Sequence, residues 1–300
     1  DILECAKGIV DGSIEGEQYI RGNVRDAKIA TYGTASIVYD PAKVTDTCEV
    51  ELVTKVMDDG QKVIEAVVTY PEDVNPDSIS TATYQVRAEQ TADNPTFNNV
   101  GMRTITGVQV DGNQVTISLD PTDTIAGTSY FDYNAFQTFM FDLSYEVTQL
   151  RDVELANGET VAAGGTYANT SITNLTVDDF QEAEVTNKAG KTIPYRYYDP
   201  IQSAGKDADG KYPVVIFLHG AGESGDNNLS HIIANKGAVV WADRVDMNPC
   251  YVLAPQCPSM AEGWVQEDNE ALVMQMLDEF IAEHAATRSE ERRVGKECRS

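Results

Sequence analysis

Between positions 213 and 218 the chain reads Pro-Val-Val-Ile-Phe-Leu, without one polar side chain. A strand that is apolar at every position has both faces buried, as at the centre of a layered α/β sheet and unlike a sheet with one wet face. Tyr251-Val-Leu-Ala254 is a second run of this kind. Residues 229–240, between the two runs, are predicted to be helical. So are residues 269–285, where Leu272, Met276, Leu277, Phe280 and Ile281 share one face. Strand–helix alternation predicts a parallel, layered α/β domain. A hairpin precedes it, with strands at 183–186 and 192–198 around the turn Asn187-Lys-Ala-Gly190.

The earlier chain follows a different rule. Residues 50–56, 62–70, 81–87, 104–110 and 114–119 alternate polar and apolar positions and are rich in Val and Thr. Asp58-Asp-Gly60, Pro76-Asp77 and Asp111-Gly-Asn113 separate them, the last being a good two-strand turn. Short alternating strands at this spacing predict an antiparallel β-sandwich over 46–178. A further strand is expected at 143–153, and the domain ends between 150 and 178. It holds no cluster of catalytic residue types, so a spacer or positioning role is expected of it.

The two ends read differently again. Residues 1–45 show helical spacing, in Ile2-Leu-Glu-Cys-Ala-Lys-Gly8 and again across Val24 to Tyr39. With the Gly8-Ile-Val-Asp-Gly12 turn between them, they weakly resemble an S-layer homology repeat, which implies docking onto cell-wall polysaccharide; a generic helical hairpin is the plainer alternative. From Arg288 the chain reads Arg-Ser-Glu-Glu-Arg-Arg-Val-Gly-Lys-Glu-Cys-Arg-Ser. That string is the one-frame translation of a short-read sequencing adapter, so residues 288–300 are expected to be a non-native tail. The protein is then expected to continue past Thr287, and a missing start before Asp1 is easier to accept.

The formal net charge is −26 and is spread along the chain. It argues against nucleic acid or an anionic membrane as partner, since both need a basic face. No apolar run reaches the length of a membrane span. A secreted or cell-surface location suits such acidity. Cys5, Cys48, Cys250, Cys257 and Cys298 show no Cys-x-x-Cys pair, which makes a zinc site a poor reading. Cys250 and Cys257 flank a strand whose extension holds them too far apart to bridge, so they are expected as free, buried thiols.

The apolar run at 213–218 ends in His219-Gly-Ala-Gly-Glu-Ser-Gly225-Asp-Asn-Asn228. Open α/β sheets place their active sites on loops leaving the carboxyl ends of central strands. Glycines on both sides of Ala221 let the backbone turn sharply and present N–H groups, the donors that acyl transfer needs for a developing oxyanion. Tyr212 to Asn228, followed by Tyr251-Val-Leu-Ala-Pro-Gln-Cys-Pro258 and Trp264, resembles the oxyanion-loop region of α/β-hydrolase esterases. The nearest group is the bacterial esterases with an N-terminal immunoglobulin-like domain, also described as predicted peptidases or prolyl-oligopeptidase-like hydrolases. The resemblance covers residues 180–287, and the sandwich at 46–178 suits the appended domain.

That resemblance implies a multidomain chain: an immunoglobulin-like β-sandwich, then the N-terminal half of an α/β-hydrolase domain at 179–287. It implies an oxyanion hole at Gly220, Ala221 and Gly222, with Ala221 the foremost donor, and loop support from His219 and Glu223. It also demands a Gly-x-Ser-x-Gly elbow, an acid and a catalytic histidine. No Gly-x-Ser-x-Gly occurs in the chain, and His219, His231 and His284 are not placed like the family's base. The nucleophile, acid and base are therefore expected after Thr287, and the fragment is expected to be inactive. Ser224 precedes a loop rather than a strand-to-helix turn and is a poor nucleophile.

Two further patterns are outweighed. Gly220-Ala-Gly-Glu-Ser-Gly225 fits a dinucleotide fingerprint, but Glu223 and Asp226 would repel a pyrophosphate, and Pro255-Gln256 stands where an acid should end the next strand. Asp207-Ala-Asp-Gly210 starts like a calcium loop but lacks the distal Glu. The expected parent is a serine carboxylic-ester hydrolase needing no cofactor, acting on a small-molecule or polysaccharide ester. A serine peptidase on the same fold and a non-catalytic cell-surface binding protein remain the alternatives.

Overall fold

The structure, a computed structural model, describes residues 24–29, 35–39, 47–204, 211–284 and 286–287. β1 (Val24–Ile29) and β2 (Ala35–Tyr39) pair antiparallel, which corrects the helix expected there. The apolar positions of this stretch also recur at period two, as in Ala27/Ile29 and Ile37/Tyr39. Its Val, Ile and Tyr residues suit a strand better than a helix. The rest of the first 45 residues, the calcium-like stretch 207–210 and the adapter-like tail lie outside the described residues.

The next strands are β3 (Glu49–Met57), β4 (Gly60–Thr69), β5 (Tyr84–Thr91), β6 (Asn99–Arg103), β7 (Ile105–Asp111) and β8 (Gln114–Leu119). After them come β9 (Ser129–Asp132), β10 (Gln137–Met140), β11 (Asp142–Gln149), β12 (Val153–Glu154), β13 (Thr160–Val161) and β14 (Thr166–Asn174). Eight of them form a sheet in the order β6-β5-β11-β14-β3-β4-β8-β7. Val86 and Ala88 of β5 share one core with Val115 and Ile117 of β8, although these strands are far apart in that order. The sheet must therefore fold over a common interior, which is the two-layer packing of a sandwich. The β7–β8 turn is the one expected: Asp111 pairs with Gln114 across Gly112-Asn113, and Gly112 takes the positive φ of +57° that such turns need. The strand expected at 143–153 stops at Gln149, whose backbone turns to bond Gly164 and Gly165.

By its internal contacts the chain forms two units that interleave in sequence. The first takes residues up to Val53, Val63–Ala126 and Leu143–Ile172; the second takes Thr54–Lys62, Gly127–Asp142 and the residues from Thr173 onward. The tip of the β3–β4 hairpin and the whole β9–β10 hairpin thus belong to the second unit.

Among the described residues of the first unit, no buried side-chain nitrogen or oxygen lacks a hydrogen-bond partner. Arg103 donates to Asp123 Oδ2 at 3.0 Å, to the Tyr145 hydroxyl at 2.8 Å and to the carbonyls of Val63 and Asp120 at 3.0 and 2.9 Å. Gln149 accepts from the hydroxyls of Tyr70 and Tyr167, and its amide donates to the carbonyls of Arg151 and Val161.

The second unit continues with β15 (Phe180–Thr186), β16 (Thr192–Tyr198), α1 (Ile201–Ala204), β17 (Tyr212–Ile216), α2 (Ser230–Ile233), α3 (Val239–Ala242), β18 (Tyr251–Pro255), α4 (Glu267–Glu283) and β19 (Ala286–Thr287). Its sheet runs β15-β16-β18-β17-β19. β15 and β16 are the expected antiparallel hairpin, β16 meets β18 antiparallel, and β17 lies parallel to both β18 and β19. The apolar stripe of α4 (Leu272, Met276, Leu277 and Phe280) packs with Leu253 and Tyr251 on one face. Ile232, Ile233 and Val239, from α2 and α3, pack with Val252 and Ala254 on the other.

β18 is buried throughout, as its apolar run predicts, whereas Val214, Val215 and Ile216 of β17 are half-buried. β19 pairs only with Tyr212 and Pro213 among the described residues, leaving the later part of that edge less covered. The single helix expected at 229–240 is two short ones. Asn235 turns its side chain back to the Gly237 N–H, and a Cβ at Gly237 would collide with the Phe217 ring.

A buried polar knot ties together the three stretches of this unit. Gln61 donates to Thr54 Oγ1 at 2.8 Å and to Asn174 Oδ1 at 3.0 Å, while the Thr128 hydroxyl donates to Gln61 Oε1 at 2.8 Å. Cys48, Cys250 and Cys257 are free and buried, as expected of the latter two. Burial pushes the Cys48 and Cys250 thiols up to about 11. No helix among the described residues is long and apolar enough to cross a membrane.

His231 of α2 is fully buried and bonds Ala254 O through Nε2 at 2.8 Å. Burial, with a smaller push from neighbouring His219, lowers its pKa to about 3.

Two stability effects follow. Arg103→Met removes the guanidinium from Asp123, which keeps only its Thr104 donors, and takes a donor from the Tyr145 hydroxyl and from the Val63 and Asp120 carbonyls. It should lower unfolding free energy by about 3 kcal/mol in urea titrations. His231 stays neutral when folded, while the unfolded chain takes up a proton below about pH 6.5. Stability should therefore fall by about 2 kcal/mol more between pH 7 and pH 5 than in His231→Gln. Urea titrations at the two pH values measure the difference.

Candidate functional site

β17 and β18 are parallel neighbours, yet the helices that follow them lie on opposite faces of the sheet. Such a reversal opens a crevice at the carboxyl ends of the two strands, where backbone groups and side chains from both following loops converge. The first loop runs from His219 to Leu229 and the second from Gln256 to Gln266.

His219 joins them. Its Nε2 accepts from the Cys257 N–H at 2.9 Å, so the ring proton sits on Nδ1, 2.5 Å from Gly220 O. The Trp264 indole N–H donates to His219 O at 2.9 Å, and the two rings meet edge to face. Burial lowers the His219 pKa, which keeps the imidazole neutral. Glu223 Oε2 lies 3.9 Å from Nδ1, so this contact is no ion pair while the ring is uncharged.

After His219 the backbone makes one 3₁₀ turn, Ala221–Glu223, with Gly220 at its N-cap. The Glu223 and Ser224 N–H groups are used within the turn, bonding Gly220 O and Ala221 O. The Ala221 and Gly222 N–H groups, at its start, have no acceptor among the described residues. A Cβ at Gly220 would press on Glu223 Oε2 at 3.1 Å. At Gly222 a Cβ would lie 2.6 Å from Phe131 Cε2. Gly225 adopts φ +148° and donates to Cys257 O at 2.9 Å, a second link between the loops.

All five residues singled out in the sequence, His219 through Glu223, fall in this one loop. What sequence reading missed is the residue that supports it from behind. Gln256 is fully buried: its amide donates to Glu223 O, Asn227 Oδ1 and Ser230 Oγ at 2.9–3.0 Å, and its Oε1 accepts from the Asn228 N–H at 2.6 Å. A polar side chain directly after a wholly apolar strand was the available signal. The β9–β10 hairpin was missed too, although aromatic residues crowd that stretch, at Tyr130, Phe131, Tyr133, Phe136, Phe139 and Phe141. Its Gln137 donates to Ser224 O at 3.0 Å. Ser224 is buried, and no histidine bonds its hydroxyl: both His219 nitrogens and His231 Nε2 are held elsewhere, and His231 Nδ1 has no partner.

The arrangement offers two unused backbone donors on a rigid turn, with no cationic side chain in the turn itself. Among the described residues no group of three His, Cys, Asp or Glu side chains is placed to hold a metal ion.

Residues 49–162 match the family described as the esterase Ig-like N-terminal domain. Among solved structures, a thermostable esterase is similar to this chain at 30% sequence identity and a TM-score of 0.71, over 80% of this chain and 68% of that one. No curated protein matches. The family match covers seven of the eight strands of the large sheet, all but β14, and the structural match takes in most of the chain, so its extent and identity go beyond a shared architecture. The chain belongs to the esterases that carry an immunoglobulin-like N-terminal domain.

Proposed function

We propose that residues 179–287 are the N-terminal half of an α/β-hydrolase domain in a serine carboxylic-ester hydrolase of the Ser-His-Asp type. In this reading the turn at 220–222 is its oxyanion hole. The observation that carries the reading is the pair of unused N–H groups on Ala221 and Gly222 at the carboxyl end of β17. When a nucleophile adds to an ester carbonyl, negative charge gathers on the carbonyl oxygen. Donors already fixed in place stabilise that charge without reorganising. His219 braces the turn: with Nε2 accepting from Cys257 and the proton on Nδ1 facing Gly220 O, it has no lone pair free to act as a base. Glu223 supports the turn through its carbonyl, held by Gln256 and Ser230.

The nucleophile, acid and base of this reading follow Thr287, since the sequence contains no Gly-x-Ser-x-Gly. β19 supports that placement. It lies parallel to β17, so its carboxyl end falls at the same edge of the sheet as the Ala221 and Gly222 donors. The substrate is a small-molecule or polysaccharide ester, and the acidic surface suits a secreted or cell-surface enzyme.

The 300-residue chain should neither hydrolyse p-nitrophenyl acetate above buffer nor react with a fluorophosphonate. The reading frame carried on past Thr287 should do both, with the label on a serine beyond Thr287. A label on Ser224 would overturn the assignment. In that longer enzyme Ala221→Pro removes one donor at the first position of a helical turn, where proline is tolerated. It should lower kcat by about 10²–10³-fold with KM little changed; steady-state kinetics decide it.

A further inference from the structure

The turn that presents the two N–H donors is covered on one side by an aromatic hairpin. Phe131 of β9 sits so close to Gly222 that any side chain there would strike its ring. Gln137 of β10 holds Ser224 O, and a Cβ on Gly225 would lie 3.1 Å from the Gln137 amide. The hairpin is thus seated on the 222–225 backbone at several points, all within the second unit.

Its tip is unusual for an exposed loop in a chain of net charge −26. Tyr133 is 84% exposed and Phe136 46%. Each meets the Phe131 ring edge to face, at centroid distances of 5.0 and 5.3 Å and interplanar angles of 79° and 81°. Phe136 holds φ at +51°, a left-handed conformation that a bulky residue rarely adopts and that tends to persist where the surroundings impose it for a purpose. The acid in the hairpin is turned inward: Asp132 is buried and accepts from the Asn134 and Ala135 N–H groups, which fixes the tip and leaves the ring cluster uncharged. Tyr133 and Phe136 therefore present exposed ring surface on either side of Phe131, which itself packs on the turn where an ester carbonyl would bind.

We propose that Phe131, Tyr133 and Phe136 form a specificity platform for an aromatic ring carried by the ester substrate, packed edge to face against the cluster. This rests on the oxyanion-loop reading above, because that loop fixes the carbonyl beside the hairpin. Edge-to-face and offset packing is the arrangement aromatic pairs prefer, and an added ring extends the pattern already present at Phe131. The ring can sit on either side of the ester bond.

The test uses the enzyme that carries these residues together with its nucleophile, and three substrates. Methyl cinnamate has its ring on the acyl side, phenyl acetate has it on the alcohol side, and methyl butanoate has none. Tyr133→Ala removes an exposed ring and should leave folding unchanged. It should lower kcat/KM about three- to tenfold for one of the two aromatic esters, identifying the side that docks, and leave methyl butanoate unaffected. Phe136→Gly relieves the left-handed residue and should show the same selective loss together with unchanged or higher thermal stability. Equal losses on all three esters would overturn the proposal in favour of a hairpin that merely positions the loop. No loss on either aromatic ester would place the platform outside the substrate path. No turnover of any ester by the unsubstituted enzyme would instead remove the hydrolase reading, and this proposal with it.

Discussion

A neutral, buried imidazole holds the carboxyl ends of β17 and β18 together. Loops leaving two parallel strands whose helices depart to opposite faces tend to splay, because nothing in the sheet ladder continues past the strand ends. His219 closes that gap with one ring, one nitrogen taking the Cys257 N–H and the other facing Gly220 O, while Trp264 fastens its carbonyl. The tether works only while Nε2 keeps its lone pair, so burial that lowers the His219 pKa also preserves the bond it makes. With His219 fixed, the next residues have little freedom. The chain must turn at Gly220, and the first N–H groups of the turn are left pointing outward.

The same device recurs through the molecule at different scales. A single buried amide or guanidinium, with all its hydrogen bonds met, sets the course of several chain segments: Gln256 behind the 223–230 loop, Gln61 where three separate stretches meet, Gln149 at the end of β11, and Arg103 beneath β6. Hydrophobic contact alone would tolerate small shifts at each place. A multiply bonded polar group in a low-dielectric interior does not, because each broken bond leaves an unpaired group at a cost of about 1–3 kcal/mol. Close packing adds a second constraint where rings meet backbone, as Phe131 does at Gly222 and Phe217 at Gly237. The glycines of the His-Gly-Ala-Gly loop thus answer to neighbours distant in sequence as well as to the turn itself.

Where sequence reading and structure diverge, the cause is local. Residues 24–39 satisfy helical and strand periodicities at once, and their branched and aromatic residues favour the strands that form. Residues 229–240 have a helical pattern, but Asn235 and Gly237 break it, one by bonding the backbone and the other because Phe217 occupies the space a side chain would need. β17 is as apolar as β18 in sequence but less buried, since its pairing with β19 involves two residues. Composition cannot report the extent of a neighbouring strand.

The sequence alone was enough for the antiparallel strands of the first sheet, the parallel pairing of β17 with β18, the β7–β8 hairpin, the buried face of α4 and the free thiols at Cys250 and Cys257, and it singled out His219–Glu223 as the candidate loop. These rest on periodicity, on turn chemistry or on a short contiguous motif, all of which are local properties of the chain. The sequence did not show that β16 joins β18 antiparallel and makes the second sheet mixed. Tertiary structure decided what stands behind and beside that turn. In the sequence Gln256 marks only the absence of an acid at the end of a strand, until the fold brings Glu223, Asn227 and Ser230 around its amide. The hairpin at 129–140 lies about ninety residues before the loop it packs on. No periodicity or propensity encodes a contact of that separation; it arises only when burial of several elements at once selects one arrangement among the many that local preference allows.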